Sequence, residues 1–195
     1  MEERLIKVGI THGDINGIGY EVILKTFSDA RVAELCTPVI YGSSKIAAYH
    51  RKALELPPVN MNIISQAEDA GINRVNIINC VDDETKVELS QSTSIAGEAA
   101  FLALEAAVTD LKRGAVDVLL TAPINKHNIQ NDEFHFPGHT EYLEERFGGV
   151  GRKALMILMK DGLRVALVTG HIPLAEVPSR ITVEDIVSKV RIFNQ

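Results

Sequence analysis

The sequence predicts an α/β fold with a mainly parallel sheet. Short apolar, partly β-branched runs alternate with stretches of helical periodicity. Gly, Pro or polar turns sit at the junctions between them. No internal repeat or low-complexity tract interrupts the alternation. Strands that alternate with helices pair most readily in parallel, each helix returning the chain across the sheet.

The elements follow in order. Leu5–Thr11 (LIKVGIT) is short and apolar and predicts a buried strand. A glycine-rich turn, HGDINGIG, leads into a helical stretch, YEVILKTF. Thr37–Tyr41 predicts a second strand closed by Gly42, and Ser43 is placed to cap a helix over Lys45–Leu56. Pro57 and Pro58 stop that helix. MNIIS (61–65) and RVNIINCV (74–81) predict further strands, and the polar, acidic stretch 82–92 a loop.

Ser94–Arg113 carries small and apolar residues at helical spacing and predicts a long helix ended by Gly114. Val116–Leu120 predicts the next strand. Ala154–Met159 and Leu163–Val168 predict two more across the turn KDG. Thr182, with Asp185 three residues on, opens a last helix in a near capping-box pattern. Ile186, Val187, Val190 and Phe193 still follow its apolar face as the sequence stops at Gln195, which predicts a chain cut within an element.

Composition limits the function classes. A chain of 195 residues is long enough to bury a sizeable core. Its formal net charge is −6 and it shows no basic stripe, which argues against nucleic-acid binding. The amino terminus lacks an apolar signal core, and no apolar run reaches the ~18 residues of a membrane span. A soluble cytoplasmic protein without a membrane partner is expected. Cys36 and Cys80 lie in or beside apolar runs without ligand-spaced neighbours, as buried free thiols do.

Four stretches carry candidate chemistry. T11-HGDINGIGYE-21 crowds glycines between strand and helix, so it is either a tight turn pinned by Asp14 or a loop facing a ligand, with Asn16 beside it. It matches neither the dinucleotide fingerprint nor the Walker A pattern. L119-LTAPINK-126 brings Lys126 beyond a strand's carboxyl end, where it can meet an anion or simply solvent. In FPGHTEYLEERF, Thr140 can cap the helix YLEERF, whereas His139 has neither a capping side chain nor a core-facing position. V168-TGHIPL-174 sets His171 after a strand, where a ligand, an acid–base group and an uninvolved histidine are all possible. No HExxH or CxxC pattern is present.

Together, TxGDxxGIGxE, an xPxxK after a strand, GHTEYLEER and the strand ending GHIPL resemble the 4-hydroxythreonine-4-phosphate dehydrogenase family of pyridoxal phosphate biosynthesis. Their order and spacing agree along the whole chain. The resemblance implies a two-lobed fold like that of isocitrate and isopropylmalate dehydrogenases. Met1–Lys126 would form mainly the first lobe, and 127–195 the incomplete beginning of the second. It also implies a homodimer with a shared active site.

The implied activity is oxidation of 4-phosphohydroxy-L-threonine by NAD or NADP to the 3-oxo acid, followed by decarboxylation. A divalent metal (Zn, Mg or Co) held by three histidines, one from the partner subunit, would assist. By resemblance His139 and Thr140 fall on the substrate-binding pair and His171 on the first metal ligand, while Asp14, Asn16 and Lys126 can line the site.

The chain departs from the family pattern in places. His12 and Tyr20 stand where the family often has proline, and Ala122 stands where glycine is usual before Pro123. Segments carrying the other two metal histidines do not occur, so these 195 residues are expected to be inactive alone. Two alternatives remain: a dehydrogenase of threonate or erythronate 4-phosphate, and a non-catalytic α/β fragment.

Overall fold

The structure, a computed structural model, describes residues 5–149 and 153–194. They divide into two compact units, Met1–Phe147 and Gly148–Gln195.

The first unit is built on five parallel strands. These are β1 (Lys7–Thr11), β2 (Thr37–Gly42), β3 (Met61–Ile64), β4 (Val75–Asn79) and β5 (Val118–Thr121), in the order β3-β4-β2-β1-β5. Its helices are α1 (Gly19–Phe27), α2 (Val32–Leu35), α3 (Ser44–Ala53), α4 (Ser94–Lys112) and α5 (His139–Phe147). Alternation along the strands explains the layering. Ile10, Ile40 and Ile77 pack with Ile23 and Phe27 of α1 and Ala33 of α2. Val39 and Tyr41 point the other way, onto Ala103 and Ala107 of α4. Helices therefore cover both faces of the sheet.

Local chemistry sets the helix ends. The Ser43 hydroxyl accepts from the Ile46 N–H at 3.3 Å, and that of Thr93 from the Ala96 N–H at 3.3 Å. Gly114, with φ 74°, follows α4. α3 stops at Ala53, before the two prolines, because Glu55 turns to a positive φ of 52°. β5 begins two residues later than the apolar run predicts, since Val116 is buried against α4 ahead of the strand. α2 has too few residues to show a period.

Residues 129–147 pack within the first unit. Ile129, Phe134 and Tyr142 close on Ala100, Phe101, Leu104 and Val108 of α4 in one apolar cluster. The first compact unit thus extends to Phe147. α5 starts at His139, so Thr140 lies inside its first turn and is not its cap.

The second unit holds an antiparallel pair, β6 (Ile157–Lys160) and β7 (Leu163–Ala166), followed by α6 (Val177–Arg180) and α7 (Val183–Phe193). Asp161, at φ 50°, makes the turn between the strands. The Thr182 hydroxyl accepts from the Asp185 N–H at 3.1 Å and donates to that residue's carboxylate at 2.7 Å. Leu158, Met159, Leu163, Val190 and Phe193 are exposed.

Candidate functional site

In an open parallel sheet, loops converge outside the carboxyl ends of the strands. Here the loops after β1 and β5, which are neighbours in the sheet, are joined there. The Asp14 N–H donates to the Pro123 carbonyl at 2.9 Å, and the Ala122 N–H to the Thr11 carbonyl at 3.2 Å. Gly13 makes this approach possible. Its φ is 71°, and a Cβ there would lie 2.2 Å from the Pro123 oxygen.

Asp14 and Asn16 are buried and hold the turn. Asp14 accepts from the Asn16 N–H at 2.8 Å and from the Asn128 amide at 3.3 Å. The Asn16 amide donates to the Gln91 carbonyl at 2.9 Å and the Thr93 hydroxyl at 3.1 Å, and accepts from the Glu88 N–H at 2.7 Å. Those three bonds occupy its side chain, fixing loop 88–93 and the amino end of α4. Asn125 reaches the same end through the Ser92 hydroxyl at 3.1 Å. The Asn128 carbonyl oxygen of the backbone lies 1.8 Å from where a Cβ on Gly97 would stand, so the loop rests directly on α4.

Beneath this turn lies a stack of rings. His12 and Tyr20 are parallel to within 11° at 5.1 Å, and Tyr20 and His50 lie 5.2 Å apart. The Tyr20 hydroxyl accepts from the Ser43 N–H at 2.8 Å, and a His50 ring nitrogen meets the Ile15 carbonyl at 2.7 Å. His12 is fully buried, and desolvation lowers its pKa to about 4. The nearby backbone groups of Gly13 and Ala99 oppose this only in part, because neither ring nitrogen meets a partner in hydrogen-bonding geometry among the described residues.

The loop after β5 ends at α5, where His139 lies within electrostatic reach of Lys126. His139 Nε2 is buried and has no hydrogen-bond partner among the described residues. Burial, and then the charge of Lys126, lower the pKa of its imidazole. Lys126 itself is exposed, and Lys126 and Glu141 both flank Gly138. Gln130 closes the intervening loop by donating to the carbonyls of Lys126 at 3.2 Å and Phe136 at 3.0 Å. The result is a neutral imidazole with an unused nitrogen, an ammonium and a helix amino end, an arrangement suited to an anion.

Asp14, Asn16, Lys126, His139 and Thr140 all lie in the first unit. His171 lies in the second, five residues beyond β7, with its side chain exposed and its backbone at φ 55°. The described residues contain no group of three His, Cys, Asp or Glu able to hold a metal. His171 alone does not make a metal site.

Asn128 and Glu105 were not singled out in the sequence. Asn125 and Asn128 sit three apart after a strand, an Asx-turn signal that could have drawn notice. Glu105 lies on a helix whose apolar positions alone mark its period.

The family described as "Pyridoxal phosphate biosynthetic protein PdxA" matches residues 34–195. A 4-hydroxythreonine-4-phosphate dehydrogenase of Bacteroides thetaiotaomicron is 59% identical over the entire chain, which covers 53% of that relative. A Clostridium botulinum protein, provisionally named D-threonate 4-phosphate dehydrogenase, is 29% identical over 94% of the chain and 55% of its own length. A crystal structure of a 4-hydroxythreonine-4-phosphate dehydrogenase from Burkholderia phymatum superposes with a TM-score of 0.85 at 28% identity. It matches 97% of this chain and 57% of the other. The chain spans about half the length of the curated relatives it matches.

Proposed function

Because the chain belongs to the pyridoxal phosphate biosynthetic protein PdxA family, we propose that it forms the amino-terminal part of a dehydrogenase acting on 4-phosphohydroxy-L-threonine. The product is the 3-oxo acid, which then loses its carboxylate. The nicotinamide cofactor, NAD or NADP, takes the hydride, and the protein positions the reactants. A divalent metal and a second subunit belong to this reading, with His171 as one metal ligand and the remaining ligands outside the described residues. The protein works in the cytoplasm.

The observation that carries the proposal is the buried, unpartnered Nε2 of His139 at the start of α5, within electrostatic reach of Lys126. A phosphorylated or carboxylated substrate supplies the acceptor oxygens that this nitrogen and ammonium lack. The α5 amino end favours the same charge. Asp14 and Asn16 line the site from beneath, as its scaffold. Thr140, exposed in the first turn of α5, adds a hydroxyl beside His139.

A second reading has specific support. The Clostridium botulinum relative carries a D-threonate 4-phosphate name, and Lys126 and His139 would meet a threonate or erythronate phosphate equally well. A non-catalytic α/β role is the outcome if neither substrate is bound.

The deciding experiment follows reduction of NAD or NADP with each phosphorylated acid and Zn, Mg or Co. It uses the 195-residue chain and a protein of the relatives' full length carrying the same segment. Activity in the longer protein only, abolished or greatly weakened by His139→Ala through a raised KM, is expected. Comparable turnover by the 195-residue chain would mean that the active site is misplaced.

A further inference from the structure

We propose that Glu105, on α4, is the positioning residue for His139, acting through α5. The inference rests on the substrate-binding role proposed above. Its structural part stands on three contacts. One Glu105 carboxylate oxygen accepts from the Tyr142 hydroxyl at 2.6 Å, and the other is paired with the Arg146 guanidinium. Arg146 also lies over the Tyr142 ring, 5.9 Å from its centroid. A single carboxylate thus grips α5 at two points one turn apart.

His139 lies one turn before Tyr142, at i and i+3, so the two side chains neighbour each other along α5. Tyr142 is buried, stacked on Phe134 at 5.3 Å and set edge-on against Phe136 at 5.5 Å. Those rings fix how deep α5 sits. They act at one end of the α5 face, so its rotation also depends on the bonds that Tyr142 and Arg146 make. The Glu105 bonds are directional and set that rotation. Turning α5 would carry the His139 ring out of its buried position and change its exposure to the charge of Lys126.

A mere brace between two helices would affect melting alone. A positioning residue also alters the state of His139. The test uses the 195-residue chain with Glu105→Ala, Glu105→Gln and Tyr142→Phe. The His139 imidazole is titrated by NMR, its diethyl pyrocarbonate modification rate is measured, and Tm is recorded. Glu105→Ala should raise the His139 titration midpoint toward 6.5 and speed modification about tenfold. Tyr142→Phe keeps the ring stack and should move both readouts the same way by less. Glu105→Gln keeps an acceptor for Tyr142 and should restore most of the original behaviour.

A lower Tm with unchanged His139 titration and modification in both Glu105→Ala and Tyr142→Phe would overturn the proposal. None of these readouts needs substrate. Loss of the dehydrogenase reading would therefore appear separately, as absence of turnover in the full-length assay. Where turnover is present, Glu105→Ala should raise KM about tenfold and leave kcat within about twofold. The reverse pattern counts against positioning.

Discussion

The backbone N–H of Asp14 donates to the Pro123 carbonyl at 2.9 Å, joining the loops that leave β1 and β5. Everything proposed for the site depends on that junction. It brings the turn carrying Asp14 and Asn16 against the loop that leads to Lys126 and His139.

The junction tolerates no side chain at Gly13. At φ 71°, a Cβ would fall 2.2 Å from the Pro123 oxygen. Gly13→Ala should therefore cost about 3 kcal/mol or more, since a backbone atom must move and the conformation is strained for alanine. Urea unfolding measures this, and a loss below about 1 kcal/mol would contradict it.

Asn16 holds loop 88–93 by three side-chain bonds within a buried turn. Asn16→Ala leaves those groups unpartnered and should cost about 2–3 kcal/mol. The loosened loop should also be cut by protease faster than in the parent chain. Unchanged proteolysis would show that other contacts hold it.

His12 makes stability depend on pH. Unfolded it titrates near 6.5, and folded near 4. Between these values the unfolded chain binds the extra proton. Stability is thus full above pH about 6.5 and falls as pH drops, by about 3 kcal/mol at the lower end of the window. His50 and His139, whose pKa values are also lowered chiefly by burial, act with the same sign. Urea midpoints from pH 7.5 to 4.5 should decline less steeply in His12→Phe. Parallel curves would exclude His12 as a source.

Lys126 is the second cause of the lowered His139 pKa, after burial. Lys126→Met should move the NMR titration of His139 upward without reaching 6.5, because burial remains. The same variant should bind inorganic phosphate more weakly in calorimetry. A titration that stays in place would separate the two residues.

The parallel α/β character was legible because alternation survives in the sequence. Ser43, Thr182 and Gly114 announced helix ends through chemistry local to a few residues. The order β3-β4-β2-β1-β5 was not legible, since periodicity carries no information on which strands pair. Thr140 read as a cap because the residues after it look helical. In the structure α5 gains its first turn at His139, with Tyr142 N–H bonded to the Gly138 carbonyl at 3.3 Å. Glu105 stayed hidden because its partners, Tyr142 and Arg146, lie 37 and 41 residues away. Asn16 likewise binds groups more than seventy residues on.

The stacked rings of His12 and Tyr20 share one space beside the β2 backbone. They lie face to face at 5.1 Å. Gly42 leaves the space they fill, for a Cβ there would sit 2.4 Å from the Tyr20 hydroxyl and 2.8 Å from the His12 ring. A side chain at Gly42 would therefore displace two rings at once, so one backbone position sets the room for both.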